Sequence, residues 1–463
     1  FAVKEADPTA LKRLLTALEE DKTDRCGGVS IGRLFDIDVL RPDGEKVSRT
    51  EAGLPERRCL LCGQPAFLCA RARKHSVSAL FSKTVDAIEA YFVEEYAELI
   101  ATLAEKALLA EAYTTPKPGL VDGRNNGAHT DMTCRMFSDS AHALRPFFAV
   151  YVRTAYTYAA GRLTRAEGQA AGERSEKSAL PAAQATDDTG QGREMLPTSE
   201  LAGLLPLLRP VGLRADQVMY DATGGVNTHK GAIFSLGLLC AALGALYAET
   251  LSERLSVRKD NTPAFVLSSQ AVRLQEIVRA VAAPAAFPDK GETASYTHGE
   301  RLYAAYGIGG VRREAAEGFP VLFGVALPRL YELLSLETLR ETVPKAEIKE
   351  AEAVGIPAAL QNAGALTLLS VIAATEDTCL ISRTSPERAR ALRKRCQELA
   401  KRSASLSEAT LSALFALDDD FIREGASPGG SADILAMTYF LYFLDLTKSE
   451  KFPMINTLWQ AEN

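Results

Sequence analysis

Positive charge is not in excess in this chain: Lys and Arg total 53 of 463 residues against 59 Asp and Glu, for a net charge of −6. Without a global positive field the chain has no means of gathering nucleic acid as a main partner, so a smaller polyanion must be held by a local pocket. Cysteine is sparse too. Eight in a chain this long, two of them in a close C-x2-C pair, do not make a secreted disulfide framework and read as reduced thiols or metal ligands in a cytoplasmic protein. No charged leader precedes an apolar stretch after Phe1, so no signal peptide is expected. The most apolar run, residues 232–248, is broken by Ser235, Gly237, Cys240 and Gly244. It reads as a buried helix whose small residues let neighbours approach, so no membrane is expected. Neither a Walker pattern nor a repeat of fixed period occurs.

What remains is a globular composition, 47% hydrophobic and 24% charged, with length for two to four domains. Residues 9–20 carry a helical pattern. Phe35 to Val39 alternate apolar and acidic residues, which predicts a strand followed by a turn at Arg41-Pro42-Asp43-Gly44. From Val77 onward, Ala/Leu/Glu-rich stretches with apolar residues three and four apart predict an almost wholly helical remainder. Residues 164–200 are poor in large apolar side chains and read as a disordered surface insertion. The expectation is a mainly α protein: a partial α/β segment over 1–76 and an all-helical domain over 77–463.

Histidine is rare, five in all, and three of the five sit among glycines and charged residues. Gly224, Gly225, Asn227, His229 and Lys230 immediately precede the apolar helix, and backbone N–H groups at a helix N-terminus beside an ammonium suit a phosphate. The plain alternative is a polar cap with a solvated lysine. Lys117 and Asp122 flank a proline-rich turn that stops a long helix, with His129 and Asp131 soon after. Glu376, Asp377 and Asp433 offer further carboxylates, Asp433 being readable as a mere helix cap. Triphosphate chemistry needs Mg2+ on one or two carboxylates. Asp36 and Asp38 would share a face of the expected strand and hold one such ion. Cys59, Cys62, Cys69 and His75, spaced C-x2-C-x6-C-x5-H, have residue types that suit Zn2+, with ordinary reduced cysteines as the alternative.

Six segments in order, TPKPGLVD (115–122), GAHTDM (127–132), TGGVNTHKG (223–231), THGER (297–301), YGIGGVR (306–312) and SPGGSAD (427–433), resemble the triphosphoribosyl-dephospho-coenzyme A synthase family. GRLFDIDVL (32–40) and RCLLCGQPAFLCAR (58–71), ending at His75 and Ser76, resemble the later part of the phosphoribosyl-dephospho-coenzyme A transferase family, the holo-acyl carrier protein synthase of citrate lyase. The resemblance implies a fusion. Its larger part would join ATP to dephospho-coenzyme A and release adenine, and its smaller part, lacking the family's early segment, is expected to fail at loading the lyase acyl carrier protein. Such a reaction develops positive charge on the ribose, so it needs anions near the sugar, a base for the attacking hydroxyl and an acid for adenine. His129 and His229 are candidates for acid or base, Asp122, Asp131 and Glu300 for the carboxylates, and Lys117, Lys230 and Arg312 for the triphosphate. Cys379 and Ser382 to Thr384 depart from the family pattern. The rival readings are a non-catalytic nucleotide- or coenzyme A-binding remnant and the equivalent synthase of malonate decarboxylase.

Overall fold

Asp7 opens the first helix, α1 (Pro8–Glu19): its carboxylate accepts the N–H groups of Thr9 and Ala10, and Pro8 occupies a position that needs no N–H. The computed structural model describes residues 7–20, 31–177, 195–256, 267–285, 298–335, 355–403 and 407–447. They fall into two compact units, Phe1–Tyr96 and Ala97–Asn463.

In the first unit the strand expected at Phe35 to Val39 does not form a ladder. Residues 35–39 are extended, but among the described residues only isolated bridges occur, Leu40 with Lys46 and Arg58 with Pro65. The cause is visible in the carbonyls. Arg57 Nη2 donates to the carbonyls of Arg33 and Phe35, and Lys12 Nζ to that of Ile37. Ile37 N–H in turn goes to the Glu19 carboxylate. Side chains take the groups that a second strand would use. The turn at Arg41 to Gly44 forms as expected, with Gly44 N–H on the Arg41 carbonyl. The short α2 (Ala66–Arg71) follows, then α3 (Val77–Tyr113), which runs on into the second unit.

The second unit is built of helices joined by loops, with no strand among its described residues: α4 (Cys134–Lys177), α5 (Thr198–Leu201), α6 (Leu205–Ala222), α7 (Lys230–Ser256), α8 (Leu267–Ala282), α9 (His298–Tyr306), α10 (Gly310–Ala316), α11 (Leu327–Ser335), α12 (Ala358–Ala374), α13 (Thr378–Arg383), α14 (Pro386–Arg402), α15 (Glu408–Arg423) and α16 (Gly429–Leu446). Two of these are apolar all round and form the centre. α12 is buried at nearly every position from Leu360 to Ile372, between α11, α14 and α16. α7 lies against α4, α6, α8 and α16. Its residues Lys230–Leu251 are long and apolar enough to cross a membrane, but 83% of that window is buried in protein, so it reads as a core helix. Of the stretch expected to be a disordered insertion, the first part continues α4 to Lys177. Leu196 is pinned through its N–H to Glu249 and through its carbonyl to Arg273, and residues 178–194 lie outside the described residues.

The small residues of α7 do what their size permits. A Cβ on Gly244 would stand 2.3 Å from the Val152 carbonyl oxygen of α4, and one on Gly237 would stand 2.6 Å from the Tyr151 ring. Gly244→Ala is therefore expected to cost about 1–3 kcal/mol through overpacking, although alanine is the better helix former. Gly161→Ala, on the same pair of helices but facing open space, should instead be neutral or stabilising. Urea unfolding midpoints of the two variants check this.

Candidate functional site

A loop over residues 114–133, between α3 and α4, carries much of the site, and its shape is fixed from several sides. Thr114 Oγ1 and Tyr439 OH of α16 are 2.7 Å apart. Asp418 of α15, fully buried, accepts from Gly119 N–H at 2.9 Å and Asn125 Nδ2 at 3.1 Å, with Arg124 alongside. Gly119 has φ +71°, and a Cβ there would fall 2.1 Å from the Ala426 carbonyl oxygen, so only glycine fits.

This loop, the starts of α7, α10, α13 and α16 and the end of α12 enclose a cavity of about 610 Å3, within the range of small-molecule sites. Lys117 lies at its inner side, 1% exposed, with Nζ 2.5 Å from Glu111 Oε1 and 2.6 Å from the Glu111 carbonyl oxygen. Burial pushes the Glu111 carboxyl up against the pull of Lys117. His229 is buried, with Nδ1 2.8 Å from Ser140 Oγ and its ring edge-on to Phe137. Its Nε2 is buried without a hydrogen-bond partner among the described residues. Burial, reinforced by the Lys117 charge, holds the His229 imidazole down to about 3, so it is neutral at physiological pH. His129 is also held below its ordinary value, by burial and by Arg383, whose Nη2 donates to Nδ1 at 3.2 Å. That leaves Nε2–H to donate to Ser427 Oγ, 2.8 Å away. The cavity thus presents two neutral imidazoles, a buried ion pair, several carboxylates and the more open cations Lys230, Arg313 and Arg383.

Residues 97–452 match the family of ATP:dephospho-CoA triphosphoribosyl transferases, CitG, and residues 1–91 match the apo-citrate lyase phosphoribosyl-dephospho-CoA transferases, CitX. The chain belongs to the CitG family, fused to a CitX part. Protein CitXG of Haemophilus influenzae is 31% identical over 442 residues, 95% of this chain and 78% of that protein. Protein CitXG of Leuconostoc mesenteroides is 30% identical over 428 residues, 89% and 74% of the two chains. The 2-(5''-triphosphoribosyl)-3'-dephosphocoenzyme-A synthase of Haemophilus ducreyi is 32% identical over 393 residues, 83% of this chain and 99% of that one. No solved structure matches.

Within this CitG unit, Lys117, His129, Asn227, His229 and Lys230 all line the cavity. Asn227 Oδ1 also accepts Lys230 N–H and so caps α7. Other expected residues are placed elsewhere. Asp122 accepts the N–H groups of Lys117, Arg124 and Asn125 and ties the loop to itself, its carboxyl pushed up to about 6 mainly by burial. Asp131 is exposed, 3.9 Å from His129 Nδ1. Gly224 and Gly225, with φ +66° and +92°, end α6, Gly225 N–H reaching the Tyr220 carbonyl. Arg312 is on α10, where its neighbour Arg313 is the one that lines the cavity. Glu300 is in the first turn of α9, its side chain outside the described residues. At the N-terminus of α7, where a phosphate was expected, the Asp433 carboxylate stands against Gly231 and the Ala232 N–H. Asp433 is not a cap of its own helix, because that place is held by Pro428. Asp377 does cap α13, accepting from Cys379 and Leu380, and also takes Ser431 N–H and Oγ. The sequence reading passed over Glu111 and Arg313, and met Arg383 only within a segment that departs from the family pattern. Glu111 lies in an Ala/Leu/Glu helix indistinguishable from a solvated one, and only the nearby Lys117 hinted at a partner.

In the CitX part, Cys59, Cys62, Cys69 and His75 converge, with their ligand atoms all within 4.8 Å of one another. Cys62 Sγ is 3.4 Å from Cys69 Sγ and 3.3 Å from His75 Nε2. This is a cluster able to bind a metal. Asp36 is paired with Arg57 at 2.7 Å, and Asp38 with Lys46 at 2.6 Å and Lys12 at 4.0 Å.

The Glu111 and Lys117 pair yields a stability prediction. Lys117→Met should cost about 3–5 kcal/mol by leaving a buried carboxylate unpaired, and adding Glu111→Gln should restore much of that loss. Urea unfolding of the single and double variants measures both.

Proposed function

We propose that this chain makes triphosphoribosyl-dephospho-coenzyme A from ATP and dephospho-coenzyme A, with release of adenine, as the precursor of the citrate lyase prosthetic group. One observation carries the reading: five of the six motifs, far apart in sequence, bring residues to the lining of one cavity. In this reaction a ribose hydroxyl of dephospho-coenzyme A displaces adenine at the anomeric carbon of ATP. The neutral imidazole of His229 takes the hydroxyl proton: its Nε2, buried and without a partner among the described residues, has its acceptor position free for that task, whereas both nitrogens of His129 are engaged, with Arg383 and Ser427. Lys230, Arg313 and Arg383 receive the triphosphate, which enters as its Mg2+ complex. Asp122 holds the loop on which Lys117 and His129 sit, rather than touching substrate. Glu300 and Arg312 retain the roles their motifs imply, at the sugar and the phosphates respectively.

Against the expectation that the smaller part fails at loading, the CitX match over residues 1–91 supports transfer of the finished group to the lyase acyl carrier protein, and it favours citrate lyase over malonate decarboxylase as the destination. Its two acids fit Mg2+ only together with a polyanion. Asp36 and Asp38 are neutralised by Arg57, Lys46 and Lys12, so a triphosphate that draws off those cations frees the carboxylates for the ion. The Cys59, Cys62, Cys69 and His75 cluster suits Zn2+. At Zn–S of about 2.3 Å and tetrahedral angles, ligand atoms stand about 3.5–3.8 Å apart; here two pairs stand 3.4 and 3.3 Å apart and all four atoms lie within 4.8 Å of one another. With four protein ligands such a site is closed and structural. The helical unit would operate in the cytoplasm, where thiols stay reduced.

The purified chain should release adenine from ATP only when dephospho-coenzyme A is present, and His229→Gln should slow release by about 10²-fold or more while the protein stays folded. Adenine release followed by chromatography decides both, and full activity of the variant would remove His229 from the chemistry. For the cluster, close to one equivalent of zinc is expected by elemental analysis of protein purified without chelator. Cys62→Ser should abolish it and increase proteolysis within residues 55–76.

A further inference from the structure

Six carboxylates line the cavity of the CitG unit: Glu111, Glu314, Glu317, Glu376, Asp377 and Asp433. Most are committed to the fold. Glu111 is held by Lys117, Glu314 accepts Val321 N–H, Glu317 binds Arg313, and Asp377 accepts two N–H groups at the start of α13 plus both donors of Ser431. Glu376 is exposed and lies within the field of Arg313. Asp433 differs from all of these. It sits in the second turn of α16, half-buried, and among the described residues no side chain donates to it; its one hydrogen-bond donor there is the Ala232 N–H, with the acids Glu111 and Asp377 near enough to act on it. Room for it is made by the absence of a side chain at residue 231, since a Cβ there would stand 2.0 Å from Asp433 Oδ2. The fold therefore delivers one carboxyl group to the cavity with most of its hydrogen-bonding capacity unspent.

The proposed reaction has a task for such a group. When the bond between adenine and the anomeric carbon breaks, its electron pair stays on the purine, which departs readily only if a ring nitrogen gains a proton. We propose that Asp433 is the general acid that protonates adenine as it leaves. The C–N bond breaks as the C–O bond to dephospho-coenzyme A forms, Asp433 gives its proton to the purine, and the hydroxyl proton goes to a neutral histidine. Burial, together with the negative charges of Glu111 and Asp377, raises Asp433 well above the usual carboxylate range, so it holds a proton to give. The neighbouring His229 is shifted the other way. Groups driven apart in this manner are suited to opposite proton-transfer roles.

The inference rests on the synthase reading of the cavity, and the test separates the two. Adenine-base release would be measured for the full chain and for Asp433→Asn with two substrates, ATP and its N7-methylated analogue, whose purine is already cationic and leaves without a proton. Asp433→Asn should slow release from ATP by about 10²–10⁴-fold and release from the analogue by less than about tenfold. Equal losses on both substrates, or no loss on ATP, would overturn the assignment. If the variant does not fold by thermal unfolding, the native chain supplies the measurement: release from ATP should fall at alkaline pH while release from the analogue persists, and parallel profiles would overturn the role. No release from either substrate by the native chain would instead sink the synthase reading, and this inference with it.

Discussion

The ion pair between Lys117 and Glu111 sets the electrostatics of everything near it. Both side chains are almost fully enclosed, 1% and 5% exposed, so their charges are poorly screened. The ammonium also donates to the Glu111 carbonyl near the end of α3, where a cation is favoured by the helix dipole. Its positive charge pushes His229 further down and restrains the rise of Asp122. The carboxylate acts oppositely, contributing to the upward shifts of Asp433 and Tyr439. A single pair thus adds to burial in keeping an imidazole unprotonated and in favouring protonation of a carboxyl group in the same cavity. A buried pair is weak evidence for stability in its own right; here its two fields reach groups with opposite chemical uses.

That arrangement depends on holding the loop over residues 114–133 still, and the loop is tied by acids rather than by apolar contact alone. Asp418 receives the N–H of Gly119 from one side and the amide of Asn125 from another, while Asp122 gathers three backbone N–H groups within the loop. The two buried donors, the N–H groups of Lys117 and Gly119, would otherwise be orphans costing about 1–3 kcal/mol each. Asp122 and Asp418 are both shifted upward by burial, so the folded chain holds protons there more tightly than the unfolded chain does, and their contribution to stability declines as pH rises from the ordinary carboxylate range through the raised values.

Much of this could be read from the sequence, and the failures have a common cause. Helices with three- and four-residue apolar spacing were legible because their period is local, and so were the rare histidines that turned out to face the cavity. Lys117 was legible as a functional lysine but not as one already bound, because Glu111 lies six residues earlier among several helix glutamates that the sequence does not tell apart. Asp122 drew attention by type and position, yet its hydrogen bonds point into its own loop. The Phe35 to Val39 alternation was real, but periodicity cannot show that Arg57 and Lys12, distant in sequence, claim the carbonyls. Asp433 looked like a cap because it follows Ser-Pro-Gly-Gly, and its actual neighbour, the start of α7, is about 200 residues away in the chain. Burial and long-range pairing are what the sequence hides.

A chain with net charge −6 that handles a tetra-anionic nucleotide must sort its charges, and the lining does so by depth. Lys230 and Arg313 are 52% and 59% exposed, each engaged with a carboxylate across a surface pair. Such pairs are worth little, roughly 0–1 kcal/mol, so phosphate oxygens can replace those partners at small cost. The acids Glu111 and Asp377 are buried, where their interaction with nearby charge is stronger. On the proposed reaction the phosphates therefore meet the open cations, and the sugar, which gains positive charge as adenine departs, lies where the enclosed carboxylates act on it. Binding and chemistry then draw on different charges of one pocket, which lets the site attract a polyanion while favouring a cation-like transition state.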